Sequence, residues 1–335
     1  MYPTVSPTAS TPADSARPAG DLESLIRTVL REFVDSKAEQ LAGVSPQLGP
    51  IVRKMNEILN AGGGRPGPAF CYWGWRAAGG DAEDGRILTA AAALDLLRAG
   101  ALSHAGALGH EDELSSAERD PAAILLGDLC LTWCAELFYG CGLPAGQLRA
   151  GAGLFHLMHA EVVTGTYLAL LEPDPVGRAR LVARSRSAGF SGRRAMQLGA
   201  SVAGAGPALV DGCGRFAAAL GEAVELRAEV TGVFGDGKDD DLRRGRATVL
   251  IALARERGNP GQRAELQALY GDPDLTSDGA ERLRGIITDT RALAAIEELI
   301  VRQVNEALGA IHRLPAVQEV KEALTALAVA TADGV

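Results

Sequence analysis

Three groups of side chains in this 335-residue sequence have types and spacings that could do chemistry. His156 and His159 stand at i, i+3 with Glu161 two residues on, an arrangement that could offer two imidazoles and a carboxylate to a transition metal. Cys130 and Cys134, at i, i+4, share a helix face and could form a metal or redox pair. His110, Glu111, Asp112 and Glu113 put three carboxylates beside an imidazole, a run that could attract a hard cation. Each has a plainer reading. A helical histidine or glutamate is commonly a packed, hydrogen-bonded position. The five cysteines (Cys71, Cys130, Cys134, Cys141, Cys213) include no pair of closely spaced pairs, so small buried thiols in a reducing cytoplasm fit better. The acidic run reads as a solvated loop. Trp73, Trp75 and Trp133 lie in apolar stretches and read as core. No Ser-His-Asp arrangement or phosphate-binding glycine loop stands out.

The elements that would position such groups are helices. "DLESLIRTVLREFVDSKAEQL" opens on Asp21 as a cap and repeats Leu22, Leu25, Ile26, Val29, Leu30 and Phe33 on one face. "GRILTAAAALDLLRAGALSH" places Ile87, Ala91, Leu94, Leu97 and Ala101 at steps of three and four. "AAILLGDLCLTWCAELFYG" is apolar on nearly all sides and is expected to be central. "LFHLMHAEVVTGTYLALLE", "ALVDGCGRFAAALGEAVELRAEVTGVFG" and "GIITDTRALAAIEELIVRQVNEALGAI" continue the pattern. Gly/Pro/Asp clusters break it at Gly62–Pro68, Gly79–Gly85, Glu172–Val176, Gly235–Asp241 and Gly271–Asp274. The expected organisation is a Pro/Ser/Thr/Ala-rich tail over 1–20, disordered by composition, and a single all-helical domain over 21–335.

Composition agrees. Aromatic residues make up 4% of the chain and β-branched runs are few, which favours helix over sheet. A net charge of −9 argues against a nucleic-acid partner, since phosphate binding needs a basic face. The N-terminus "MYPTVSPTASTPADSARPAG" lacks the basic start and apolar core of a signal peptide. No membrane span is expected, and a cytoplasmic location is.

In chain order, "GGGRPGPAFCYWGWRAAGG", "AAAALDLLRAGALSH", "AAILLGDLCLTWCAELF", "EVVTGTYLALLE", "RSRSAGF", "GEAVELRAEVTGVFGD" and "DDDLRRGRATVLIALA" follow one another. Together they resemble the trans-isoprenyl diphosphate synthases (polyprenyl synthetases), most nearly the actinobacterial-type branch, from about Leu22 to the C-terminus. The resemblance implies an all-α isoprenoid synthase fold of about a dozen helices around a central helical cavity, with dimers formed through central helices. It also implies two motifs, H-D-D-x-x-D and R-D-D-x-x-[DG], facing each other at the ends of two central helices laid side by side. Carboxylates at i, i+1 and i+4 share a helical face, so two such helices clamp Mg2+ against an allylic diphosphate, whose departure yields the carbocation.

This sequence keeps the frame of those motifs and loses their acids. His104 matches the first histidine, but Ala105, Gly106 and Gly109 occupy the aspartate positions. In the second motif Arg227 matches, Ala228 replaces the first aspartate, Glu229 keeps an acid, and Gly232 is a residue that the branch tolerates. Glu229 is therefore the one metal-ligand candidate. The acids at 111–113 lie about 9 Å further along a helix than the motif needs. The family's G-G-K-R-x-R-P keeps Arg65 and Pro68 but has Gly64 and Gly67 at two cationic positions. Its K-[ST] appears as Arg186-Ser187, and its D-[LI]-x-x-G-K-x-T as Asp241, Leu242, Gly245, Arg246 and Thr248. Arg65, Arg186, Ser187 and Arg246 are thus the diphosphate-binding candidates, since arginine for lysine keeps charge and phosphate competence. The small residues Ala99, Gly100 and Ala101, a turn before the first motif, would permit a long cavity.

The expected function is that of a polyprenyl synthetase-type protein of isoprenoid or terpenoid biosynthesis that has lost catalysis and serves as a prenyl-diphosphate-binding or regulatory subunit. Mg2+ is expected to be weakly bound or absent, and the partner a second copy or an active synthase of the same fold. Two alternatives stay open: an atypical prenyltransferase or terpene cyclase using Glu229, Arg227 and relocated acids, and a helical interaction protein with a docking tail.

Overall fold

The computed structural model describes residues 19–60, 66–107, 121–171, 192–235, 242–243, 245 and 248–333. Thirteen α-helices and one 3-10 turn, and no strand, occur among them. They are α1 (Ala19–Val44), α2 (Gly49–Asn60), α3 (Pro66–Ala77), α4 (Gly85–Ala107), α5 (Pro121–Tyr139), α6 (Ala145–Leu171), α7 (Gly192–Val202), α8 (Pro207–Phe234), α9 (Val249–Arg257), α10 (Pro260–Leu269), α11 (Ser277–Asp289), α12 (Ala292–Arg313) and α13 (Gln318–Asp333). The all-α expectation holds.

Several boundaries differ from the sequence reading for local reasons. α1 starts at Ala19, which puts Asp21 inside the first turn instead of at the cap. α3 starts at Pro66 and takes in Pro68, part of an expected break. Prolines in a first helical turn cost nothing, because the N–H groups there have no intrahelical acceptor.

The centre is built by α3, α4, α7 and α8. α3 and α7 cross backbone to backbone: a Cβ on Gly74 would fall 2.0 Å from the Met196 carbonyl oxygen, and one on Gly199 would fall 1.8 Å from that of Cys71. The Phe70 ring lies over Gly192, which brings the first turns of the two helices together. α4 and α8, expected to lie side by side, make no extended contact with each other. Instead α3 and α7 pack against both, α4 turns its main face to α5, and α8 turns its own to α12. α3 and α7 thus lie between the two motif-bearing helices.

α5 departs from expectation. Its Leu126, Cys130, Trp133, Cys134, Leu137 and Phe138 are buried, but Ile124, Leu125 and Tyr139 are exposed. The exposed side also carries Asp128, Thr132 and Glu136 at steps of four, so the face that α5 leaves uncovered is mixed polar and apolar. Over Ala122–Tyr139 it passes a membrane-span test of length and composition alone, as core helices of water-soluble folds also do; 39% of that window is buried.

Candidate functional site

His104 lies one turn before the C-terminal end of α4, and the next two residues, Ala105 and Gly106, continue the helix. The imidazole is engaged with α5: Nε2 lies 3.2 Å from the Ile124 carbonyl oxygen and 3.1 Å from Asp128 Oδ1. Gly127 makes room for the ring, since a Cβ there would come 2.3 Å from it. One turn earlier, Gly100 faces the same helix; its Cβ would lie 3.0 Å from Leu131 Cδ2 and 3.1 Å from the Gly127 carbonyl oxygen. Smallness at position 100 therefore serves close packing of α4 on α5. Ala99 and Ala101 are buried.

The second motif sits in the last turns of α8 and is tied down on three sides. Arg227 pairs bidentately with Glu297 of α12, at 2.7 and 2.9 Å, and donates to the Ala332 and Thr331 carbonyl oxygens at 2.8 and 3.4 Å. Glu229 Oε2 accepts the Leu250 N–H at 3.1 Å, in the first turn of α9. Thr248, matched above to the last position of the D-[LI]-x-x-G-K-x-T element, caps the same helix by accepting from the Ile251 N–H at 3.2 Å. From α11, Arg284 Nε donates to the Val233 carbonyl oxygen at 2.8 Å, satisfying an end group of α8. Ala228 is exposed and Gly232 is half-buried. Arg65, Gly109, Arg186, Ser187 and Arg246, together with the acids at 111–113, lie outside the described residues.

Burial pushes the Glu229 carboxyl up to about 7; the Leu250 and Val249 N–H groups pull it back, and the Glu225 carboxylate adds to the rise. The stability consequence has a definite sign. The unfolded chain releases this proton near the usual glutamate value and the folded chain only near 7. Stability from this site is therefore full below about pH 4.5 and falls as pH rises toward about 7. Glu229→Gln is expected to leave thermal stability nearly unchanged at pH 5 and to raise it at pH 8, by up to about 3 kcal/mol. A difference in Tm that stays flat between pH 5 and 8 would refute this environment.

The side chains at the motif positions, taken by themselves, do not fit Mg2+. That ion asks for several hard oxygen ligands in octahedral geometry, whereas positions 105, 106, 109 and 228 carry methyl groups or hydrogens and Glu229 is committed to α9. The other chemical candidates are dispersed among separate partners. His156 Nε2 lies 2.9 Å from Tyr139 Oη, and His159 Nδ1 lies 2.9 Å from the Phe155 carbonyl oxygen. Glu161 forms a bidentate pair with Arg194, which also donates to Gln197 at 3.0 Å. Among the described residues no group of three His, Cys, Asp or Glu is placed to hold a metal ion. The cysteines are free and buried, and burial pushes the thiols of Cys71, Cys130 and Cys213 up to about 12 and raises those of Cys134 and Cys141 as well. A metal-binding or nucleophilic cysteine needs the opposite shift.

Sequence reasoning missed Gly127 and Asp128 as the partners of His104, Glu297 and the C-terminal carbonyls as those of Arg227, and Arg284 at the end of α8. None is near in sequence to the group it serves.

Comparison with known proteins follows the same lines. No family profile matches the chain. A stretch of 140 residues, 40% of this chain, is 34% identical to the geranylfarnesyl diphosphate synthase of Aeropyrum pernix and covers 43% of it, so the match spans less than half of that curated relative. The geranylgeranyl pyrophosphate synthase of Corynebacterium glutamicum, solved with isoprenyl diphosphate and magnesium, superposes with a TM-score of 0.80 at 25% identity, over 94% of this chain and 99% of that one. The polyprenyl synthetase of Streptomyces coelicolor A3(2) superposes with a TM-score of 0.73 over 93% and 98% of the two chains; at 18% identity this is a likeness of fold alone.

Proposed function

We propose that this chain, which belongs to the trans-isoprenyl diphosphate synthase family, binds a prenyl diphosphate without ionising it and acts as a binding or regulatory subunit in isoprenoid biosynthesis. One observation carries the reading: four of the five expected aspartate positions hold alanine or glycine, and the fifth, Glu229, caps α9. What supports retained binding is the surviving basic set, Arg65, Arg186 and Arg246, with Ser187. The Phe70–Gly192 contact joins the starts of α3 and α7, the helices that immediately follow the segments carrying Arg65 and Arg186.

Large apolar side chains left exposed on two helices support a subunit role. Ile124, Leu125 and Tyr139 on α5 and Leu157, Val163 and Tyr167 on α6 are exposed. Exposed large apolar side chains are the kind of surface that interaction sites use. A second copy of this chain or an active synthase of the same fold is the proposed occupant. The atypical-enzyme reading loses one of its two named residues, since Arg227 is turned to Glu297 and the end of α13.

Geranylgeranyl diphosphate in about hundredfold excess over its Kd is expected to raise Tm by about 4 °C, equally with Mg2+ and with EDTA. No shift under either condition would overturn ligand binding, and a shift only with Mg2+ would overturn its independence of metal. In size-exclusion chromatography with light scattering, Leu125→Glu is expected to shift the protein toward the monomer.

A further inference from the structure

We propose that α13 is a strap whose docking sets the conformation of the second-motif turn, with Arg227 as the positioning residue that links them. The last four carbonyls of a helix have no partner within it, and cationic side chains suit that end. Arg227 reaches two of them, the carbonyl oxygens of Thr331 and Ala332, while its other edge is held by Glu297 of α12. The guanidinium therefore joins three helices at one point. It belongs to the residue directly before Ala228 and two before Glu229.

The strap is fastened along its length as well. Val320, Leu324 and Ala328 form a stripe at steps of four, all fully buried, and Arg76 at the end of α3 pairs with Glu319 at 3.5 Å. α13 thus spans from α3, which follows the Arg65 segment, to α8, which carries the second motif, and packs on α12 between them. In a site without the acids for a cation clamp, these neutral and singly charged contacts hold the α8 end in place. Undocking α13 removes the partners of Arg227 on one side and frees the α8 turn that aims Glu229 at α9. The coupling concerns the ligand-free chain and stands whether or not a prenyl diphosphate binds.

Amide hydrogen exchange on the full-length, ligand-free protein tests it. Arg227→Gln is expected to speed exchange about tenfold in peptides covering 226–235 as well as 328–333, the loss of charge-assisted bonds being felt at both ends. Arg227→Lys keeps a donor for one carbonyl and falls between. Glu297→Gln, which leaves the carbonyl contacts in place, gives a smaller change at the same two sites and serves if Arg227→Gln does not fold. Glu319→Gln frees only the far end, so exchange rises near 318–322 and not in 226–235. Acceleration confined to α13 in both Arg227→Gln and Glu297→Gln, with 226–235 unchanged, would show a simple helix-end cap and overturn the strap.

Discussion

Mixed with Mg2+, an allylic diphosphate and a homoallylic diphosphate, the purified protein is expected to yield no elongated prenyl product, with a rate at least about a thousandfold below that of a synthase carrying both aspartate motifs. Neutralising a departing diphosphate with metal supplies several kcal/mol, and each ~1.4 kcal/mol is a factor of ten. Replacing four carboxylates by alanine or glycine removes ligands that no described neighbour restores: His104 faces α5, Arg227 faces α12 and α13, and Glu229 is pushed up to about 7 by burial. Product analysis by mass spectrometry with radiolabelled substrate as a second readout decides the matter. Any extended or cyclised product above the buffer control would refute the non-catalytic reading. The converse measurement is Ala105→Asp, Gly106→Asp, Gly109→Asp and Ala228→Asp combined; Mg2+ is expected to raise the Tm of that variant and not of the parent.

Gly199→Ala is expected to cost about 3 kcal/mol or more, and Gly199→Val to abolish soluble expression. The Cβ would meet the Cys71 carbonyl oxygen at 1.8 Å and the Trp75 nitrogen at 2.9 Å, both backbone atoms that no rotamer change can move aside. Gly74→Ala repeats the insult from the α3 side, against Met196. Because the two substitutions press on one crossing, their costs should not add, and the double variant should lose less than the sum. Gly285→Ala is the control: it sits mid-helix in α11 with nothing within 4 Å, and alanine there should stabilise by about 0.5–1 kcal/mol. Urea unfolding of the variants separates these outcomes, and a Gly199→Ala cost below that of an ordinary surface change would disprove the tight crossing. The same crossing sets the spacing between the starts of α3 and α7, so prenyl-diphosphate binding should weaken along with stability.

Much of the fold was legible because helical periodicity is local. Leu22, Ile26 and Leu30, or Ile87, Ala91 and Leu94, announce a buried stripe from spacing alone, and all six are buried. α5 shows where this stops. Asp128, Thr132 and Glu136 mark its solvent side at steps of four, but Ile124, Leu125 and Tyr139 are as apolar as its buried residues, so periodicity does not say that they are left exposed. Gly100 shows a second limit: a missing side chain does not say which neighbour approaches it, and only the folded chain places Leu131 and Gly127 there.

The candidate site divides in the same way. That alanine or glycine stands at 105, 106, 109 and 228 is a matter of residue identity, and the order of the seven segments supplies the frame in which those positions are read. Where the remaining charged groups go was not. Arg227 is 70 residues from Glu297 and about a hundred from the carbonyls it caps; Glu229 is 21 from Leu250. Partners so distant are chosen by how whole helices pack, and packing is a property of shapes in three dimensions that no local pattern encodes. The sequence by itself determined the all-helical architecture and the residue types at the motif positions, because both follow from side-chain type and short-range spacing. Only the tertiary structure decided that the surviving His104, Arg227 and Glu229 hold helices together, because a side chain's role depends on which surface the folded chain brings within its reach.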